Sequence, residues 1–382
     1  MARMARIAAL ASFAGIRLAA ADTPVHCLLE QMYGEWTVHM SAALEGDYSR
    51  GPPDCSAASA TEGSYATMRL LAPNRIAWEG PDTPTDDRLG TFTMVYDEGW
   101  EATFPALGTP ARGQPGVKLW GFLDWAQKNA TAVVSHCGAV SAGSFHSLPR
   151  APAASPTSWG CYRATKNRPP APREHAAPSR PGWATADGGA SGVYTAGPAG
   201  PLRRELPSAV VDNRPDAVKY AGLPEAVDWD LAGKVEMMRD QLTCGSCYAF
   251  AATSMLASRG RIGGADALYL SPQDMISCGS AKATPGTSTS YGQGCDGGFG
   301  YLVSKWAQDF TLASNECFPY ESGLSDSAGP ACSKRCTDAG MMYRATNIRY
   351  IGAYFGNCSE VGMMVELAAG GPIAVGITVP AR

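Results

Sequence analysis

A chain of 382 residues has room for two ordinary domains, and 45% hydrophobic with 17% charged residues supports a packed core and excludes wholesale disorder. A net charge of −4 at pH 7 argues against nucleic-acid binding, which calls for a basic footprint.

Residues 1–21 read as a secretory signal. Arg3 and Arg6 form the basic start, Ile7 to Ile16 the apolar run, and Ala19-Ala20-Ala21 the small-residue cleavage site, with Arg17 the one awkward charge. The apolar run is too short to span a bilayer, and no second run is long enough, so no membrane anchor is expected. Cleavage after Ala21 makes Asp22 the new N-terminus. It removes Arg3, Arg6 and Arg17 and leaves 28 basic against 35 acidic residues, a net of −7.

Residues 22–161 read as all-β. Short runs of β-formers occur at Trp36–Met40, Thr67–Leu71, Arg75–Trp78, Thr91–Tyr96, Trp100–Phe104, Val117–Trp120 and Thr131–Ser135, with turn residues at Pro73-Asn74 and Asp97–Gly99. The pattern predicts an antiparallel barrel or sandwich; Gly34-Glu-Trp36 would also suit a lipocalin-like barrel. Residues 162–222 have linker chemistry, as in Pro169-Pro170-Ala-Pro172 and Gly188–Gly192, and read as a linker or pro-segment. Arg203-Arg204 is either a processing site or an exposed basic pair.

From Leu223 to Arg382 the composition is that of an enzyme core. A helix is predicted from Cys247, and another beginning with Ser271 as cap and Pro272 in the first turn. A third is expected over Gly300–Asp309. A fourth, Glu360–Ala369, is expected to be capped by Asn357 with Glu360. Pro372–Val379 reads as a buried strand.

Cys247 stands at the start of the apolar helical run. A helix N-terminus favours thiolate over thiol, and thiolate is the nucleophilic form. Two structural cysteines flanking a turn are the plainer alternative. Twelve cysteines in a secreted chain imply disulfides. Cys244-x-x-Cys247 and Cys332-x3-Cys336 could be zinc half-sites, but no His stands at ligand spacing near either, so no metal is expected.

Several separated blocks resemble one family. Leu223-Pro-x-x-x-Asp-Trp229, Gln241–Phe250, Leu270-Ser-Pro-Gln273 with Ser277-Cys278, and Gly294-Cys-Asp-Gly-Gly298 are similar to the left half of papain-like cysteine peptidases. Asp22–Cys27, Gly34-x-Trp36, Gly90–Tyr96, Trp159–Tyr162, Cys317–Tyr320 and Tyr350–Cys358 resemble the cathepsin C (dipeptidyl-peptidase I) type of that family. The resemblance implies an α+β protein. An antiparallel β-barrel exclusion domain (22–161) would precede a papain-like peptidase domain (223–382) that is incomplete in its right-hand β half. It implies the disulfides Cys27–Cys137, Cys55–Cys161, Cys244–Cys295, Cys278–Cys332 and Cys317–Cys336; sequence arithmetic alone does not choose among connectivities. Cys247 is then free, and Cys358 is expected to be a buried bystander.

The resemblance also implies roles. Cys247 attacks the scissile carbonyl, and its own N–H with the Gln241 side-chain amide holds the oxyanion. Gly297 and Gly298 admit the substrate backbone, and Phe299 walls the S2 pocket, loosened by Gly300 where relatives have Pro. The Phe299 N–H and the Tyr301 and Tyr350 hydroxyls bind chloride. The Asp22 carboxylate pairs with the free α-amine of a peptide or protein substrate, which limits cleavage to dipeptides. A homotetramer in the lysosome, vacuole or extracellular space follows by the same resemblance. Asn129-Ala-Thr131 is a glycosylation sequon; Asn357-Cys-Ser359 is formally a second one, poorly placed at a helix cap.

One departure stands out. The histidines are His26, His39, His136, His146 and His175, all ahead of the papain-like part, and no Asn-Ser-Trp block occurs. The catalytic His and Asn are therefore not found, and a truncated, inactive chain is expected. A non-catalytic peptide-binding protein, an endopeptidase with the barrel as pro-domain, and a lipocalin-like carrier are the rival readings.

Overall fold

The computed structural model describes residues 26–46, 48, 51–56, 64–79, 89–104, 116–129, 132–148, 155, 156, 158–176, 192–196, 215–265, 267–280, 291–325, 327 and 329–376. The expected signal, Asp22, Arg203-Arg204 and Ile377–Val379 lie outside the described residues.

A short helix α1 (Leu29–Met32) leads into β1 (Gly34–Met40), β2 (Ser64–Leu71), β3 (Arg75–Glu79), β4 (Leu89–Val95), β5 (Gly99–Phe104) and β6 (Val117–Phe122). There follow β7 (Asp124–Asn129), β8 (Ala132–His136), β9 (Ala139–Ser147) and β10 (Trp159–Lys166). Eight of these close into an antiparallel barrel in the order β1-β10-β9-β6-β5-β4-β3-β2. β1 completes it by pairing on both sides, Trp36 lying opposite Lys166 of β10 and Met68 of β2. Closure leaves no unpaired edge, which decides barrel over sandwich.

The barrel interior follows the period-2 rule. Trp36, Val38, Met68, Leu70, Ile76, Met94 and Trp100 are buried in one cluster, with Trp36 and Trp100 rings 6.1 Å apart. β5 and β6 break the alternation, being buried on nearly every residue. Their outward faces are covered by the second half of the chain: Trp120, Phe122 and Trp159 join Trp306 and Phe310 in a second cluster. Trp159 stacks on Phe310 at 5.1 Å.

The closing strand runs to Lys166, five residues past the expected boundary at 161. The stretch expected to be linker also supplies β11 (Arg173–Ala176), paired with β8, and β12 (Gly192–Ala196). Backbone pairing on an existing strand needs no apolar periodicity, so β11 carries no strand signal and β12 only the short Val193-Tyr-Thr195 run.

The second half contains α2 (Asp216–Tyr220), α3 (Cys247–Ile262), α4 (Pro272–Cys278), α5 (Gly300–Asp309), β13 (Leu312–Ala313), β14 (Met342–Tyr343), β15 (Ala345–Tyr350) and α6 (Glu360–Gly370). β12 pairs with β15. The Ser271 hydroxyl accepts from the Asp274 N–H, with Pro272 in the first turn, as the sequence indicates.

Three expectations are corrected. The cap of α6 is Ser359, whose hydroxyl accepts from the Gly362 N–H at 3.1 Å, whereas Asn357 donates its side chain to the Gly352 carbonyl at 2.7 Å. Asn357 sits two residues ahead of the N-cap, too early to reach the first helical N–H groups. Residues 372–376 are not a strand, and Val375 is 53% exposed; the Pro372 carbonyl accepts from the Arg259 side chain at 2.7 Å, but among the described residues no strand pairs with this segment, and a strand needs a neighbour for its backbone groups. Cys358 is half-buried rather than buried.

Five disulfides join Cys27–Cys137, Cys55–Cys161, Cys244–Cys295, Cys278–Cys332 and Cys317–Cys336. They indicate an oxidising compartment. No described helix is long and apolar enough to cross a membrane.

Candidate active site

Cys247 is the first residue of α3, after Ser246 at the N-cap. The turn ahead of it is fixed by short-range bonds. The Gln241 amide nitrogen donates to the Cys244 carbonyl at 2.8 Å, and the Tyr320 hydroxyl donates to the Gln241 carbonyl at 2.6 Å. The Tyr320 and Ser246 hydroxyls lie 3.1 Å apart. The Cys244–Cys295 bridge clamps this turn to the glycine loop. Gly245 has to be glycine there, since a Cβ would stand 2.3 Å from the Cys295 carbonyl oxygen.

The glycine loop passes directly under the start of α3. The Tyr248 hydroxyl donates to the Gly294 carbonyl at 3.0 Å. A Cβ on Gly298, whose φ is +157°, would stand 2.7 Å from the Tyr248 ring. Gly297 has φ +121°. Two left-handed residues in succession turn the chain so that Phe299 becomes the N-cap of α5. The structure thus gathers Gln241, Cys247, Gly297, Gly298 and Phe299 around the start of α3.

Cys247 is one of two free cysteines among the described residues, the other being Cys358. Cys247 is exposed as a residue, with its thiol partly covered by its neighbours. Burial pushes the thiol above its ordinary value of 9.0 and outweighs the Tyr248 and Cys247 N–H groups that pull it down. This direction runs against the thiolate that a helix N-terminus favours. No histidine is among the groups that shift it.

The histidines lie elsewhere. His26 pairs with Asp97 at 2.6 Å, His39 and His136 are on β1 and β8, and His175 is on β11 opposite Val133. His146 is buried, 3.4 Å from Asp309.

Tyr301 and Tyr350 stack nearly parallel, 4.4 Å between centroids. The Tyr301 hydroxyl donates to Glu101 Oε1 at 3.2 Å. That hydroxyl proton is directed at the carboxylate, which Lys118 and Lys305 also face. Asn129 is exposed at the end of β7, as a glycan acceptor must be. No group of three or more His, Cys, Asp or Glu among the described residues could hold a metal.

Sequence reading missed the contributions of the barrel. Tyr96, in the turn between β4 and β5, lays its ring over Phe299 with 4.0 Å between centroids. The Phe355 N–H donates to the Thr93 hydroxyl at 3.0 Å. Charged residues inside otherwise apolar strands, Glu101 in β5 and Lys118 in β6, were the available signal.

Residues 223–382 match the family model of papain family cysteine proteases, and residues 22–166 match that of the cathepsin C exclusion domain. The chain is 32% identical to cathepsin C of Schistosoma mansoni over 187 residues, 47% of this chain and 36% of that protein. It is 30% identical to cysteine proteinase 2 of Leishmania pifanoi over 160 residues, 41% of this chain and 32% of that protein. The matches therefore span about a third of these relatives' own lengths. A solved structure of recombinant stem bromelain precursor matches with a TM-score of 0.28 at 24% identity, covering 35% of this chain and 39% of that one.

Proposed function

The chain belongs to the papain family of cysteine proteases and carries a cathepsin C exclusion domain, and from that premise we propose that it is built to remove dipeptides from free N-termini. The observation that carries this reading is the free thiol of Cys247 at the head of α3, beside the Gly297-Gly298 turn, with a barrel residue against the same loop. In this reading the Cys247 sulfur attacks the scissile carbonyl, an S–C bond forms, and the amine leaves as a thioester is made. The Cys247 N–H and the second N–H of the Gln241 amide face the oxyanion, each donor contributing about 2.7–4 kcal/mol. Gly297 and Gly298 let the substrate backbone approach, and Phe299 lines the pocket for the second side chain. Asp22, the first residue after signal cleavage, binds the substrate's α-amine.

Protonating the leaving amine requires an imidazole, and none is among the groups acting on Cys247. A chloride ion near the Phe299 N–H and the Tyr350 hydroxyl belongs to the same reading, and no step is routed through it. A secretory or lysosomal location, a glycan on Asn129 and a homotetramer belong to the same reading.

A second reading, a peptide-binding protein without catalysis, draws on the raised Cys247 thiol. The experiment that tests the first is mass mapping after treatment with a dipeptidyl chloromethyl ketone carrying a free amine. Modification of Cys247 with Cys358 left intact supports it, and Asp22→Ala is expected to slow that modification. A Cys247 found in a disulfide, or an unaffected Asp22→Ala, refutes it.

A further inference from the structure

A charged cluster lies sealed between barrel and peptidase half. Glu101 of β5 accepts from Lys118 of β6 at 2.9 Å and from Lys305 of α5 at 3.0 Å. Its Oε1 also accepts from the Tyr301 hydroxyl at 3.2 Å. Lys305 continues to Asp309 at 3.0 Å, and Asp309 accepts from the Tyr291 hydroxyl at 2.9 Å and faces His146 at 3.4 Å. Lys118 also donates to Gln308 at 3.2 Å. The side chains of Glu101, Lys305 and Asp309 are 6%, 0% and 1% exposed. Two carboxylates thus balance two ammonium groups, with His146 beside them.

We propose that Glu101 is the positioning residue that sets the register of the barrel against the wall of the peptide cleft; this rests on the exclusion reading above. Tyr301 and Lys305 stand four residues apart on α5 and project on one face. Both reach the one barrel carboxylate. α5 starts directly after Phe299, so a shift of Glu101 moves the cleft wall and the barrel turn bearing Tyr96 relative to each other. The aromatic contacts between the halves, Trp159 on Phe310 and Tyr96 on Phe299, exclude water but resist sliding weakly. Charge-assisted bonds in a buried site are directional, and breaking one leaves an uncompensated charge.

The test compares alkylation of Cys247 by the free-amine and the N-acetylated forms of one dipeptidyl chloromethyl ketone. In each case the thiolate sulfur displaces chloride from the reagent's carbon. Wild type, Glu101→Gln and the double variant Glu101→Gln with Lys305→Met are measured, together with their thermal unfolding and their reaction with iodoacetamide, which reads thiol reactivity alone. Wild type is expected to prefer the free amine. Glu101→Gln is expected to lose roughly tenfold of that preference through misplacement of the cleft end, with iodoacetamide reactivity unchanged. The double variant, with its charges rebalanced, is expected to regain thermal stability but not the preference, and it decides the question should Glu101→Gln fail to fold. Preference retained in Glu101→Gln, or restored along with stability in the double variant, overturns the positioning role alone. No preference in wild type overturns the exclusion reading and this inference with it.

Discussion

Tyr96 and Phe299 come from opposite halves of the chain and lie ring over ring, centroids 4.0 Å apart and planes at 30°. Tyr96 holds this place with φ +52°, a conformation uncommon for a bulky side chain. The contact is therefore built by the turn rather than by strand packing. Tyr96→Ala is expected to destabilise the chain by about 1–3 kcal/mol, and Tyr96→Phe, which keeps the ring, by less. Urea unfolding of the three proteins checks it; an unshifted Tyr96→Ala midpoint would count against a structural contact.

Acid should weaken the fold through the buried cluster. Burial works to raise Glu101, but Lys118 and Lys305 prevail and hold it below its ordinary 4.5. Burial likewise opposes Lys305 and His146 at Asp309, which ends well below its ordinary 3.8. A carboxylate depressed in the folded state stabilises above its unfolded value, and that contribution is lost as pH falls toward the folded one. Melting temperature is thus expected to decline below pH 4.5, with a shallower decline in Asp309→Asn. Asp274 acts in the opposite sense: burial raises it despite Arg335, so its protonation offsets part of the loss. Lys305 is raised, because its two carboxylates outweigh burial, and adds an alkaline limb: its contribution is present below 10.5 and lost as pH climbs through the folded value. Thermal scans across pH read all three limbs.

The Cys247 thiol titrates above 9.0, since burial outweighs the N–H groups at the head of α3. Its alkylation by iodoacetamide is expected to be slow at neutral pH and still rising past pH 9. A rate that levels off near pH 7 would mean that a cation partners the sulfur after all.

Gly298→Ala places a methyl 2.7 Å from the Tyr248 ring at a φ of +157°. The ring is buried and tied to Gly294, so it has little room to yield. A loss of about 1–3 kcal/mol is expected. Gly376→Ala, with nothing among the described residues within 4 Å of the added methyl, serves as the silent comparison. Chemical denaturation of both variants gives the difference directly.

Much of the site was legible because its signals are local. The free cysteine before an apolar helical run, the Ser271-Pro272 start of α4 and the limits of α5 each depend on residues within one turn of each other. Of the strands that were missed, Asp124–Asn129, which pairs with β8 outside the barrel, and Ala139–Ser147, within it, carry too many polar and small residues for their period to stand out. The cap of α6 was misassigned because Asn357 and Ser359 are both good capping types, and only the backbone geometry distinguishes them.

The amino-acid order alone determined where helices and most strands form and which thiol opens α3, since propensity, capping and turn chemistry act over a few residues. Only the tertiary structure decided that the strands close into a barrel, that Glu101 and Lys118 meet Lys305, that Tyr96 covers Phe299, and that the Cys247 thiol is raised rather than lowered. These outcomes depend on groups up to some two hundred positions apart in the chain. Burial and pairing set their energies, and both exist only once the two halves have packed.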